Sequence, residues 1–123
     1  GRSAVCLTDN AAGYTAHAND GGWAAALAEA AKPFFDGVPD CALFALSSSG
    51  RSENVVRLAE LARDKGVLVV ALTGFQGEPL RSLATVSGHV DSSDYEVVEP
   101  VHDALLHRIQ HHVRRLGRDA AGG

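Results

Sequence analysis

Cysteine is nearly absent from this chain. Only Cys6 and Cys41 occur in 123 residues, too few for the framework of a small secreted disulfide fold. Each stands inside an apolar, strand-like run, where a buried free thiol is the expectation. No apolar stretch is long enough to span a bilayer and no signal peptide opens the sequence, so a cytoplasmic protein without membrane attachment is expected. Positive charge is not in excess: 11 Lys and Arg stand against 15 Asp and Glu, a formal net charge of −4. That balance argues against nucleic acid as a partner. Neither a P-loop lysine nor a Gly-x-Gly-x-x-Gly run is found, which excludes the common nucleotide cradles. Internal repeats and low-complexity linkers are missing as well.

What is there is an ordinary globular composition, 46% hydrophobic and 21% charged, long enough for one domain with a core. Residues 1–118 are expected to form that domain and residues 119–123 a disordered tail. Apolar runs at 4–8, 41–46, 67–72 and 86–90 predict four strands. Helical periodicity predicts helices over 23–35, 52–65, 78–84 and 97–116. Residues 15–20 are polar and small and lead into Asn19-Asp20-Gly21-Gly22, a turn signal. Gly66 stands where a helix C-terminal cap belongs. Pro100 limits the last helix, since a proline beyond the first turn costs ~3 kcal/mol; a start at about 97–99 follows. Arg108, Arg114, Arg115 and Arg118 lie near its end, where cations complement the helix dipole. Alternating strands and helices, with central strands apolar throughout, predict an α/β protein: a mainly parallel sheet covered on both faces, a three-layer α/β/α sandwich. Ligands of such sheets bind beyond the strand C-termini, near a switch in strand order.

The segment 43–55, Leu-Phe-Ala-Leu-Ser-Ser-Ser-Gly-Arg-Ser-Glu-Asn-Val, meets that condition. An apolar run ends in a Ser/Gly cluster and a helical pattern follows at once. Such a loop turns backbone N–H groups and hydroxyls toward one spot at a helix N-terminus, which suits a phosphate. The plainer alternative is helix capping by Ser49 or Ser52, but capping needs one serine rather than four. Arg51 either pairs with the phosphate or sits on the surface. Asp9, Asn10 and Gly13 either touch sugar hydroxyls or form a plain turn.

The segment Ala-Leu-Ser-Ser-Ser-Gly-Arg-Ser-Glu-Asn-Val resembles the Ile-Ser-Thr-Ser-Gly-Asn-Ser-x-Asn-Val segment of sugar isomerase (SIS) domains, most closely those of the phosphoheptose isomerase family. Thr15 to Asp20 resembles that family's Thr-Ala-x-x-Asn-Asp segment, Gly66 to Gly74 its Leu-Thr-Gly strand, and Glu99-Pro100-Val101-His102 with His107 its histidine helix. The resemblance covers about residues 4–115. It implies a flavodoxin-like SIS fold, incomplete at the N-terminus, that binds phosphosugars and assembles as dimers of dimers. Ser47, Ser48, Ser49 and Ser52 inherit the phosphate, and Asn10 and Arg51 are candidate substrate contacts. The implied reaction is aldose–ketose isomerisation of sedoheptulose 7-phosphate, with zinc at the site in several members.

The departures are specific. The chain begins at what would be the family's second strand, so the first strand, a Gly-rich loop and a helix that supplies metal and acid–base groups are absent. Glu99 stands where the family has a metal-binding Gln, Pro100 replaces a Glu, Arg51 an Asn, and Asn10 stands where an Asp is common. Either the chain is a fragment, or another chain supplies the missing N-terminal elements in a homo- or hetero-oligomer, or activity has been lost.

Isomerisation through an enediol needs a base of near-neutral pKa and a group that holds the developing oxyanion. His107 is the candidate base. Glu99, Asp103 and His107 are spaced four apart on one helical stripe, so Glu99 and His107 are candidate zinc ligands. The alternative is a half-buried His107 bonded to Asp103. His102, about 60° from Glu99 on the helical wheel, is read as packing or a subunit contact. His111 and His112 read as solvated or interfacial; His17 and His89 have no spaced partner. A non-catalytic scaffold and a phosphosugar sensor are the competing functions.

Overall fold

The structure, a computed structural model, describes residues 3–121. Its elements are α1 (Ala11–Gly21), α2 (Trp23–Gly37), β1 (Ala42–Ser47), α3 (Glu53–Asp64), β2 (Leu68–Thr73), α4 (Leu80–Leu83), β3 (Val86–His89) and α5 (Tyr95–Ala121). The three strands form one parallel sheet in the order β1-β2-β3. Ser47 pairs with Thr73 and Thr73 with His89, so all three strands end at one level, and the loops that follow share one edge of the molecule.

The strands form where apolar side chains can be buried. Leu43 and Ala45 of β1 and Val69 and Ala71 of β2 meet Leu27 and Ala31 of α2 and Leu58, Ala59 and Ala62 of α3. The many alanines let the helices approach the sheet closely. Helix α3 ends as Gly66 predicts. Gly66 takes φ +70°, its N–H donates to Arg63 O, and Val67 N–H donates to Ala62 O at 2.8 Å, the paired bonds of a Schellman cap.

Several expectations are corrected. Residues 4–8 form no strand: they are irregular and turn at Leu7–Thr8. So short a run is a strand only beside a partner ladder, and the Asn10 cap diverts the chain into α1. Residues 15–20, read as a polar segment, belong to helix α1, and of the turn signalled at Asn19-Asp20-Gly21-Gly22 only Gly22 breaks the helix, with φ +84°. Cys6 is exposed and Cys41 half-buried, because the run holding Cys6 is unpaired and Cys41 precedes β1. Helix α5 starts at Tyr95, earlier than Pro100 suggested, because Asp94 caps it. Its Oδ1 accepts Glu96 N–H at 2.9 Å and its carbonyl accepts Val98 N–H at 2.9 Å. The expected tail 119–123 is helical as far as Ala121, and its last two residues lie outside the described ones.

The parallel α/β class holds, but with three strands instead of four and no reversal of strand order among them. The second face is covered only in part. Helix α5 packs over β2 and β3 there, whereas Phe44 and Leu46 of β1 remain 44% and 39% exposed. No helix among the described residues is long and apolar enough to cross a membrane.

Candidate functional site

The site starts at the end of β1. Gly50 takes φ +73°, and a Cβ there would lie 2.2 Å from the Gly77 carbonyl, so only glycine lets the loop 47–52 touch the loop after β2. Gly74 N–H donates to Ser48 O at 2.8 Å and Leu80 N–H to Gly50 O at 3.2 Å. The Arg51 guanidinium donates to Gln76 Oε1. The serine loop is thus held to 73–77 and α4 by backbone bonds and one surface side-chain pair.

Within the loop, Ser47 is buried. Its oxygen accepts Gly50 N–H at 3.1 Å and its hydroxyl donates to Ser52 Oγ at 3.1 Å. Ser49 Oγ accepts Arg51 N–H at 3.2 Å. The Ser48 hydroxyl reaches Glu99 Oε1 only at 3.5 Å, a marginal bond. Ser52 precedes α3, but its side chain makes no capping bond. Its carbonyl accepts the N–H groups of Val55 and Val56, each at 2.9 Å. That leaves the N–H groups of Glu53 and Asn54 without intrahelical partners at the positive end of a twelve-residue helix. Glu53, whose carboxylate would oppose an anion, turns away to Arg57 at 2.7 Å. Half-buried Ser48, Ser49 and Ser52 therefore surround a spot rich in donors and shielded from the nearest acid of α3.

Two other expected contacts have local roles. Asn10 is exposed and caps α1, its Oδ1 accepting Gly13 N–H at 3.0 Å. Arg51 is an exposed surface residue paired with Gln76.

Helix α5 reaches this edge through its first turns. Val98 is fully buried against Gly74, where a Cβ would come within 2.5 Å of Val98 Cγ2. His102 is buried, and its Nε2 lies 3.1 Å from Thr73 O. A carbonyl only accepts, so that ring nitrogen is the protonated donor. The packing role read for His102 is what it has. His89, read as partnerless, meets Thr73 Oγ1 through Nδ1 at 3.0 Å. The sequence could show this only through strand register, since the two residues are sixteen apart.

Glu99 faces the serine loop, whereas His107 lies eight residues on, about 12 Å along the helix. It is exposed and lines a shallow open hollow of about 340 Å³ with Asp103, Leu106 and Gln110. No hydrogen bond joins His107 to Asp103 or to the serine loop. Among the described residues no three His, Cys, Asp or Glu side chains lie together. Glu99 and His107 alone give fewer than the three or four protein ligands zinc takes, so a zinc site here needs donors from outside the described residues.

A parallel sheet whose first strand opens into a serine-rich, donor-lined loop at a helix N-terminus defines the class, an α/β domain with its candidate site at the strand ends. The chain belongs to the SIS domain family, whose pattern matches residues 2–74. It is 37% identical over 110 residues to the phosphoheptose isomerase of Mycobacterium bovis, covering 89% of this chain and 55% of that protein. It is 33% identical over 112 residues to the lincomycin biosynthesis protein LmbN of Streptomyces lincolnensis, covering 88% and 40%. The solved phosphoheptose isomerase of Neisseria gonorrhoeae superimposes with a TM-score of 0.77 at 25% identity, covering 86% of this chain and 59% of that one. That of Francisella tularensis gives 0.73 at 27% identity, covering 84% and 55%. The chain spans little more than half the length of these isomerases. The comparisons do not favour the scaffold or sensor alternatives.

Proposed function

We propose that this chain is the phosphosugar-binding part of an aldose–ketose isomerase that acts on sedoheptulose 7-phosphate. The observation that supports it is the serine loop between β1 and α3, where hydroxyls and unpaired N–H groups converge with Glu53 turned aside. A phosphate dianion there gains charge-assisted bonds and the helix dipole. The sugar then extends along α5 toward His107. In the reaction, His107 takes the proton from the hydroxyl-bearing carbon beside the carbonyl, giving an enediolate, and returns it to the former carbonyl carbon while the hydroxyl proton passes between the two oxygens. Groups from outside the described residues, in an oligomer or a further segment, complete the site and hold the developing oxyanion. A cytoplasmic location goes with a phosphorylated substrate.

Calorimetry with sedoheptulose 7-phosphate tests the binding: the expected result is uptake by the wild type and loss in Ser52→Ala. Incubation in deuterated water tests the chemistry. Deuterium is expected beside the carbonyl with the wild type and not with His107→Ala. Full exchange by His107→Ala overturns the base assignment, and a wild type that takes up no phosphate ester overturns the whole proposal.

A further inference from the structure

Phe75 takes a left-handed backbone, φ +51°. Bulky side chains rarely stand there, and in the loop Gly74-Phe75-Gln76-Gly77 a glycine would adopt it without strain. The other non-glycine residue with positive φ among the described ones, Asp40, is of a type that tolerates it. The Phe75 N–H holds the conformation by donating to Ser92 O at 2.7 Å. The Phe75 ring then lies against Tyr95, with centroids 4.6 Å apart and planes tilted by 49°. Core packing does not explain this pair. Neither ring is among the side chains packed on the hydrophobic core, and Tyr95 keeps 54% of its surface exposed. Nor is the pair needed to seat α5, since Val98 on Gly74 and His102 on Thr73 already do so.

The rings rise from the two segments that meet Ser48. Gly74, the residue before Phe75, donates its N–H to Ser48 O at 2.8 Å. Glu99, one turn after Tyr95 on the same face of α5, reaches the Ser48 hydroxyl at 3.5 Å. Along the helix, Tyr95 stands about 6 Å before Glu99 and His107 about 12 Å after it. A chain that leaves the serine loop beside Glu99 thus has the rings on one side and the imidazole on the other. We infer that Phe75 and Tyr95 form the wall of a sugar subsite: they cover C–H groups on the carbons nearest the phosphate and turn the rest of the chain toward His107. The inference rests on the function proposed above and adds which residues select the sugar. A sugar is polar at its hydroxyls and apolar on its C–H faces, and an aromatic wall beside a carboxylate matches both. Backbone strain kept at one residue is in place where a ligand uses the side chain.

The test is calorimetric titration of two ligands, inorganic phosphate and sedoheptulose 7-phosphate, into the wild type, Tyr95→Ala, Tyr95→Phe and Phe75→Gly. Covering ~50 Å² of C–H surface is worth about tenfold in affinity. Tyr95→Ala and Phe75→Gly are therefore expected to bind the sugar phosphate about tenfold more weakly and inorganic phosphate as the wild type does. Tyr95→Phe keeps the ring and is expected to bind both ligands like the wild type. Tyr95→Ala, at an exposed position, carries the test should Phe75→Gly not fold. Equal losses for both ligands would mean that the pair merely holds the loops, and an unchanged affinity for the sugar phosphate would mean that the rings do not touch it; either result overturns the inference. A wild type that binds no inorganic phosphate overturns instead the phosphate site on which the wall depends, a result distinct from both.

Discussion

Gly50 and Gly66 have nearly the same backbone, φ +73° and +70°, but different surroundings. A Cβ on Gly66 meets nothing within 4 Å, whereas one on Gly50 would lie 2.2 Å from the Gly77 carbonyl. Gly66→Ala is therefore expected to cost only the left-handed strain, ~1 kcal/mol. Gly50→Ala adds a backbone clash to that strain and is expected to cost ~3 kcal/mol or more, with phosphate binding lost as the loop moves. Urea denaturation of the two variants checks the contrast, and equal costs would contradict the contact between the loops. Position alone made Gly66 legible as a cap. The approach of Gly77 to Gly50 was not legible, because it joins residues 27 apart that only the sheet brings together. Ser47 was hidden for a different reason. Residues 42–46 are apolar at every position, so no alternation told which face Ser47 continues, and four serines looked equivalent that are not.

Helix α5 shows how one helix divides its work between faces. Val98 and His102 dock on the end of β2, while Glu99, Asp103 and His107 lie on exposed positions. The helical spacing of both sets was readable from the sequence. Its start was not, because Pro100 drew attention from Asp94, whose carboxylate caps the helix by accepting Glu96 N–H, so that α5 begins at Tyr95, five residues before the proline. The docking depends on Gly74. Gly74→Ala would push a methyl within 2.5 Å of Val98 Cγ2, and overpacking of this kind costs ~1–3 kcal/mol. Val98→Ala opens the space that the new methyl needs. The double variant is expected to be more stable than the sum of the two single changes predicts, by at least ~0.5 kcal/mol. Strict additivity in chemical denaturation would mean that α5 does not seat on Gly74.

The central strands read as apolar on both faces, and the structure meets half of that demand. One face of the sheet is closed by α2 and α3. On the other, α5 covers the β2 and β3 ends, while Phe44, Leu46 and Leu68 stay 44%, 39% and 44% exposed. The outer edge of β1 also has no partner strand among the described residues. The sequence could state the need for cover but not its source, since hydrophobicity records that a face is buried and not by which chain. An apolar sheet face beside an open strand edge favours association. Size-exclusion chromatography with light scattering is therefore expected to give this chain alone a mass above that of a monomer at micromolar concentration. Replacing both Phe44 and Leu46 by lysine puts two charges on that face without touching Leu43 or Ala45 beneath it, so the circular dichroism should persist while the mass falls to that of one chain. A wild type that already runs as a stable monomer, or a double variant that unfolds instead of dissociating, would mean that this face is not what holds copies together.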